Sequence, residues 1–259
     1  MTPVIREIEV VDHAAAWRDA GFTVGDDGTV AIGRTVVRLV PPDDRGDADD
    51  GGPETGTGTR DRRPGIAGWT LAGLTGAAGD LDGLPTVAAD LPDDADDGPD
   101  DGDGSPPARG VHPNGVTHID HVVVTTPDIN RTTAALEAAG IVHRRTREAG
   151  TGADGVARLQ RFSRLGETIL ELVGPAVPAA ATGAAKGVRP RPARFWGLAY
   201  VATDLDALAR LLGDRLSPPS EAVQPGRRIA SLRREAGAAV PMAFLTPDRP
   251  DTRFPHNDH

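Results

Sequence analysis

The sequence predicts an α+β protein assembled from β-α-β-β-β modules, with a degenerate copy in its N-terminal part. Three alignments of the chain with itself predict it. "GRTVVRLVPP" from Gly33 lies over "GETILELVGP" from Gly166, an offset of 133 residues. Upstream, "AAAWRDAGF" from Ala14 lies over "TAALEAAGI" from Thr133, each an amphipathic helix that ends at glycine. Downstream, the segment from Gly68 to Leu84 lies over that from Phe195 to Leu208. Similar segments recurring in the same order are the mark of a repeated unit.

The elements follow in chain order. Val4 to Val40 fits one module, and the next stops short near Leu91. "THIDHVVVTT" is a β-rich apolar run, after which Asp128 is placed to cap a helix that stops at Gly140. "IVHRRTRE", "ARLQRFSRL" and "ETILELVG" then read as three strands. "RFWGLAYVAT", "DLDALARLLG", "RRIASLRR" and "AVPMAFLTP" repeat the pattern with a weaker second strand. The count is three and a half units. Residues 1–91 form the degenerate N-terminal part, with a Gly/Asp-rich insert at 41–65, and 114–250 form the main domain. The acidic run at 92–113 reads as a flexible linker and 251–259 as a disordered tail, because neither carries enough apolar side chains to offset the entropy of ordering.

Composition narrows the functional classes. The 259 residues include 28 Lys+Arg against 38 Asp+Glu, for a net charge of −10. Ten aspartates and no basic residue fall between Pro64 and Ala108, so the acidity is local and the remainder is balanced. Neither part offers the basic face that nucleic acid requires. Cysteine is absent, which removes disulfides, thiolate metal sites and cysteine nucleophiles. No apolar run approaches the roughly 18 residues of a membrane span, and the N-terminus has no signal-peptide pattern, so a cytoplasmic protein is expected. No glycine pair follows a strand and opens a helix in the dinucleotide pattern, so no nucleotide cofactor is expected.

"HIDHVVVTTPDINRTTAALEAAG" together with "RFSRLGETILELVGP" resembles the vicinal oxygen chelate superfamily, which includes glyoxalases, bleomycin-resistance proteins and extradiol dioxygenases. The resemblance covers Val116 to about Pro247, and Val4 to Val40 more weakly. It implies that paired modules curve into an open β-barrel trough. It also implies a divalent metal held by a His on the first strand of a module and a Glu on the last, here His121 and Glu171. Strand alternation agrees: His121 is expected to share a face with Ile119 and Val123, and Glu171 with Ile169 and Val173. A carboxylate in an aliphatic strand is costly unless paired, exposed or metal-bound.

The same resemblance calls for a His where the chain has Gly197 and a Glu where it has Ala243, and neither present residue can ligate. Arg38 stands in the first module where Glu171 stands in the third. His118 is three residues from His121 and falls on the other face of the strand. Glu7 or Glu9 could contribute only if the N-terminal module completed the same trough. Trp196 and Tyr200 are candidates for lining a substrate pocket. His143 with Arg144, Arg145 and Arg147 reads either as an anion-gripping strand or, more simply, as a charged edge strand. His256 and His259 resemble a metal clip but fall in the tail. Three readings stand open. One is a metal-dependent lyase, isomerase or dioxygenase acting on a small molecule with adjacent oxygens, its divalent ion weakly held. The second is a non-catalytic, resistance-type binder of a small molecule with a degraded metal site, and the third is a structural relic. A homodimer is compatible with each.

Overall fold

A computed structural model describes residues 2–43, 63–90, 112–152, 155–177 and 191–248. The insert expected at 41–65, the linker at 92–113 and the tail at 251–259 lie wholly or largely outside them. The chain folds into two mixed sheets. The first contains β1 (Val4–Val11), β2 (Thr29–Ile32), β3 (Thr35–Val40), β4 (Gly65–Ala72), β5 (Gly79–Asp80) and β6 (Pro85–Ala89), with α1 (Ala14–Asp19) between β1 and β2. Its strand order is β2-β3-β1-β4-β6-β5.

The second sheet contains β7 (Val116–Thr125), α2 (Ile129–Ala138), β8 (His143–Thr151), β9 (Ala157–Leu165), β10 (Thr168–Pro175), β11 (Arg194–Ala202), α3 (Leu205–Leu212), β12 (Ser220–Glu221), β13 (Arg228–Ser231) and β14 (Met242–Leu245). These eight strands run β12-β13-β14-β11-β7-β10-β9-β8 and curl into a half-barrel. In both sheets the first strand of a module pairs parallel with its last strand, as β1 does with β3 and β7 with β10. The first strands of adjacent modules pair antiparallel, β1 with β4 and β7 with β11. The N-terminal sheet is shorter because two strands, not three, follow α1, and no helix separates β4 from β5 among the described residues.

Local sequence explains the boundaries. The Asp128 carboxylate accepts from the backbone N–H of Asn130 (3.1 Å) and Arg131 (3.0 Å), and Asp204 caps α3 in the same way. Gly140 follows α2 at φ +92°, a conformation that disfavours any residue with a Cβ. Along β10, buried Thr168, Leu170, Leu172 and Gly174 alternate with half-buried Ile169, Glu171, Val173 and Pro175, as the pleat requires.

The apolar faces of the two sheets share one core. Phe22, just after α1, packs against Trp17 (ring centroids 5.2 Å), Tyr200 of β11 (5.2 Å) and Phe244 of β14 (6.4 Å), and Trp69 of β4 meets Phe195 edge-on at 5.0 Å. Polar links frame this contact. Asp82 binds Arg131 Nε at 2.7 Å and also accepts from Thr132, while Asn114 Nδ2 donates to the Ala20 carbonyl at 3.0 Å. The tips of the corresponding β2–β3 and β9–β10 hairpins also meet, where Arg34 N–H donates to Glu167 Oε1 at 2.9 Å.

Two outcomes follow. Phe22→Ala should lower unfolding stability by about 3–5 kcal/mol, the range for a fully buried aromatic, in a denaturant titration. Tyr200, the single tyrosine, is fully buried, and burial pushes its phenol well above the ordinary value of 10.0. Because the folded phenol holds its proton where the unfolded one releases it, stability should fall as pH rises above 10. Absorbance near 295 nm should therefore show phenolate appearing together with unfolding rather than before it.

Candidate functional site

The half-barrel presents one polar face built on β7, β8, β9 and β10. In the parallel β7–β10 pair, His121 lies opposite Ile169 and Glu171 opposite Val123, so His121 and Glu171 occupy the same face of neighbouring strands, two residues apart in register. Phe162 of β9 pairs with Glu171, and its ring meets the His121 imidazole edge-on at 6.3 Å.

One departure from simple alternation shapes the site. Opposite β11 the register shifts: His121 pairs with Ala199 and Ile119 with Tyr200, leaving Asp120 as the extra residue of a β-bulge. A bulge re-aims side chains. Asp120 Oδ2 lies against His121 Nδ1, and Asp120 Oδ1 accepts from Arg227 Nη2 at 3.0 Å. Ile119, expected beside His121, is instead buried opposite Tyr200. Burial opposes ionisation of Asp120, yet the hydrogen bond and charge of His121, together with Arg227, hold its carboxyl below the usual range. The Asp120 carboxylate orients the imidazole with Nδ1 toward itself and Nε2 on the far side of the ring.

Glu171 is held by a second chain. Gln160 Nε2 donates to Glu171 Oε1, and Gln160 Oε1 accepts from Arg147 Nε at 2.9 Å and from Arg147 Nη2. Burial dominates and raises the Glu171 carboxyl, against the opposing influence of His121, Arg147 and the Gln160 amide. Neither Asp120, Arg227, Gln160 nor Phe162 was singled out by the sequence. Asp120 depends on a bulge, and Arg227 is 107 residues away from it.

The remaining candidates separate. Tyr200 is fully buried, stacked on Phe244 at 5.6 Å, so it belongs to the core between the sheets rather than to the trough. The bulge opposite Asp120 sets that orientation. Trp196 is half exposed as the extra residue of another bulge, next to Gly197, which pairs with Val123. A Cβ at Gly197 would lie 2.7 Å from the Pro241 carbonyl oxygen, so no larger side chain fits there without movement. Ala243 pairs with Ala199. His118 Nδ1 lies 2.9 Å from Thr117 Oγ1, and His143 Nδ1 lies 2.8 Å from Glu137 Oε1 on α2. Among the described residues no group of three or more His, Asp or Glu is arranged to hold a metal ion. His256 and His259 lie outside them.

The N-terminal sheet offers an internal contrast. Arg38 lies opposite Glu9 on β1, as Glu171 lies opposite Val123 on β7, and Glu7 occupies the place of His121. Here the pair closes on itself, Arg38 Nε to Glu7 Oε1 at 3.1 Å and Nη2 to Oε2 at 2.8 Å. Glu7 and Glu9 line their own cleft of about 410 Å³, with Trp69, Thr70, Asp80 and Thr86, and do not complete the C-terminal trough. No helix among the described residues is long and apolar enough to cross a membrane.

No protein-family model and no curated protein matches the chain. Solved structures do. A triple mutant of 4-hydroxymandelate synthase from Streptomyces coelicolor aligns over 96% of this chain and 94% of its own, at 14% identity and a TM-score of 0.56. A xylose isomerase-like TIM barrel/4-hydroxyphenylpyruvate dioxygenase fusion protein aligns over 98% of this chain and 50% of its own, at 12% identity and a TM-score of 0.54. Methylmalonyl-CoA epimerase from Mycobacterium tuberculosis aligns over 52% of this chain and 91% of its own, at 19% identity, but its TM-score of 0.38 lends no weight. With both sheets matched along nearly the whole chain, and with the strand connectivity described above, the protein has the paired-module fold of the vicinal oxygen chelate superfamily.

Proposed function

We propose that the C-terminal trough binds a small organic molecule carrying adjacent oxygen atoms, and that His121 and Glu171 are the side chains that meet those oxygens. The observation that carries this reading is their placement on one face of neighbouring strands, each with its own polar partner. With Nδ1–H directed at Asp120, His121 Nε2 accepts a hydrogen bond from one ligand hydroxyl. With Oε1 taken by Gln160, Glu171 Oε2 meets the neighbouring oxygen. Trp196 supplies apolar contact at the edge of β11. Proton exchange between the ligand and these two groups is the chemistry such a pair supports.

A metal-dependent lyase, isomerase or dioxygenase is the second reading, favoured by one observation. A histidine that ligates a metal typically has its other ring nitrogen against a carboxylate, as His121 Nδ1 lies against Asp120. A catalytic centre needs three protein donors. Gly197 and Ala243 supply none, so the described residues fall one short and no step is assigned to a metal.

Calorimetric titration separates the two. Catechol, with adjacent oxygens, should bind at least about tenfold more tightly than phenol, a difference of about 1.4 kcal/mol. His121→Ala and Glu171→Gln should each remove that preference while leaving the far-ultraviolet circular dichroism unchanged. Equal affinity for the two probes would refute the adjacent-oxygen reading. Manganese or zinc should bind weakly and lose its binding in His121→Ala. Tight, stoichiometric metal would establish a further donor and move the assignment to the metal-dependent reading.

A further inference from the structure

The trough carries two cations whose charge the hydroxyl-binding reading does not use. Arg145 and Arg147 lie on β8, the edge strand, at the positions that pair with Phe162 and Gln160 of β9. Their guanidinium carbons stand 5.9 Å and 5.8 Å from the centroid of the same Phe162 ring, the ring that meets His121. Charges on an edge strand commonly serve only to block strand addition. These two differ, because both lie over an aromatic ring on the site's own face.

Two like charges held near one ring repel each other, and a bound anion would offset that repulsion. Among the described residues neither is ion-paired, and Arg147 bonds to the neutral Gln160 side chain. The carboxylates nearby are committed elsewhere. Asp120 is matched by Arg227, Glu137 by His143, and Glu171 accepts from Gln160. The Arg145 guanidinium keeps its N–H donors free of partners among the described residues, and Arg147 keeps Nη1. A planar fork with free donors, stacked on an aromatic face, is the form in which arginine recognises carboxylate and phosphate.

We propose that Arg145 and Arg147, both lying over Phe162, form an oxyanion-binding subsite of the C-terminal trough, so that its ligand is a small organic anion bearing a carboxylate or phosphate. This rests on the trough being a small-molecule site and adds the ligand's charge to it. The Arg147–Gln160–Glu171 chain then sets the spacing between the anionic group and the oxygens that meet Glu171 and His121.

The test uses salicylate and salicylamide, which share adjacent oxygens and differ in charge, with phenyl phosphate as a third probe. In calorimetric titrations salicylate should bind at least about tenfold more tightly than salicylamide at low salt, and the preference should shrink as salt rises. Arg145→Gln, which disturbs no hydrogen bond, should reduce the preference severalfold. Arg145→Gln with Arg147→Gln should abolish it, salicylate then binding no more tightly than salicylamide. Arg147→Lys, which keeps charge but not the fork, should fall between. Whichever of salicylate and phenyl phosphate binds more tightly identifies the group as carboxylate or phosphate. Equal binding of salicylate and salicylamide, both still lost in His121→Ala, would overturn the oxyanion subsite and leave the trough reading standing. A preference that survives both substitutions would place the anion elsewhere and overturn the subsite. Failure of every probe to bind would overturn both.

Discussion

Each sheet has one apolar face, and burying those two faces against each other is the constraint from which the remaining arrangement follows. The shared core holds Ile8, Val10 and Leu71 of the N-terminal sheet, with Trp17 of α1 and Phe22 just after it, together with Val122, Leu170, Tyr200 and Phe244 of the C-terminal sheet. Once those faces are joined, the polar faces that carry Glu7 and His121 are left for ligands or solvent. Hydrophobic burial supplies the association without direction. The direction comes from polar contacts at its border: Asp82 with Arg131 and Thr132, Asn114 with Ala20, and Glu167 with Arg34.

Equivalent places on the two polar faces have been given opposite chemistry. Glu7 and Arg38 neutralise each other through two hydrogen bonds, which leaves no unsatisfied charge for a ligand at that point. His121 and Glu171 instead each have a separate polar partner, Asp120 against Nδ1 and Gln160 on Oε1. One strand pairing thus supports a closed ion pair in one sheet and the candidate site in the other. The difference lies in four side chains and in the extra residue at Asp120.

Much of this was legible in the sequence. The helix caps at Asp128 and Asp204 and the alternation in "ETILELVG" are local signals, read directly from residue type and spacing. That His121 and Glu171 share a face was legible because the β7–β10 pairing keeps parity. What escaped was whatever depends on broken parity or on distance along the chain. The bulge at Asp120 sends Ile119 and Tyr200 to the core and brings Asp120 to His121, and neither residue type announces it. Arg227 looked like one arginine among many because its partners, Asp120 and the Thr246 carbonyl, are set by tertiary packing. Gly197 read as a missing ligand, but the nearby Pro241 carbonyl shows that the space itself is closed.

The parallel pairing of β7 with β10 has a bearing on the order of folding. Strands β8, β9 and β10 are joined by antiparallel neighbours and can form from local contacts, as β-hairpins do within microseconds. β7 can reach β10 only after the whole module has been traversed, with Ile169 coming to rest beside His121. Loop closure over such separations comes before any contact repays it, which puts topologies of this kind in the slow range of single-domain folding. The candidate site, divided between β7 and β10, is therefore assembled late. Its two polar residues stay apart, each in water, until the apolar framework around them has closed.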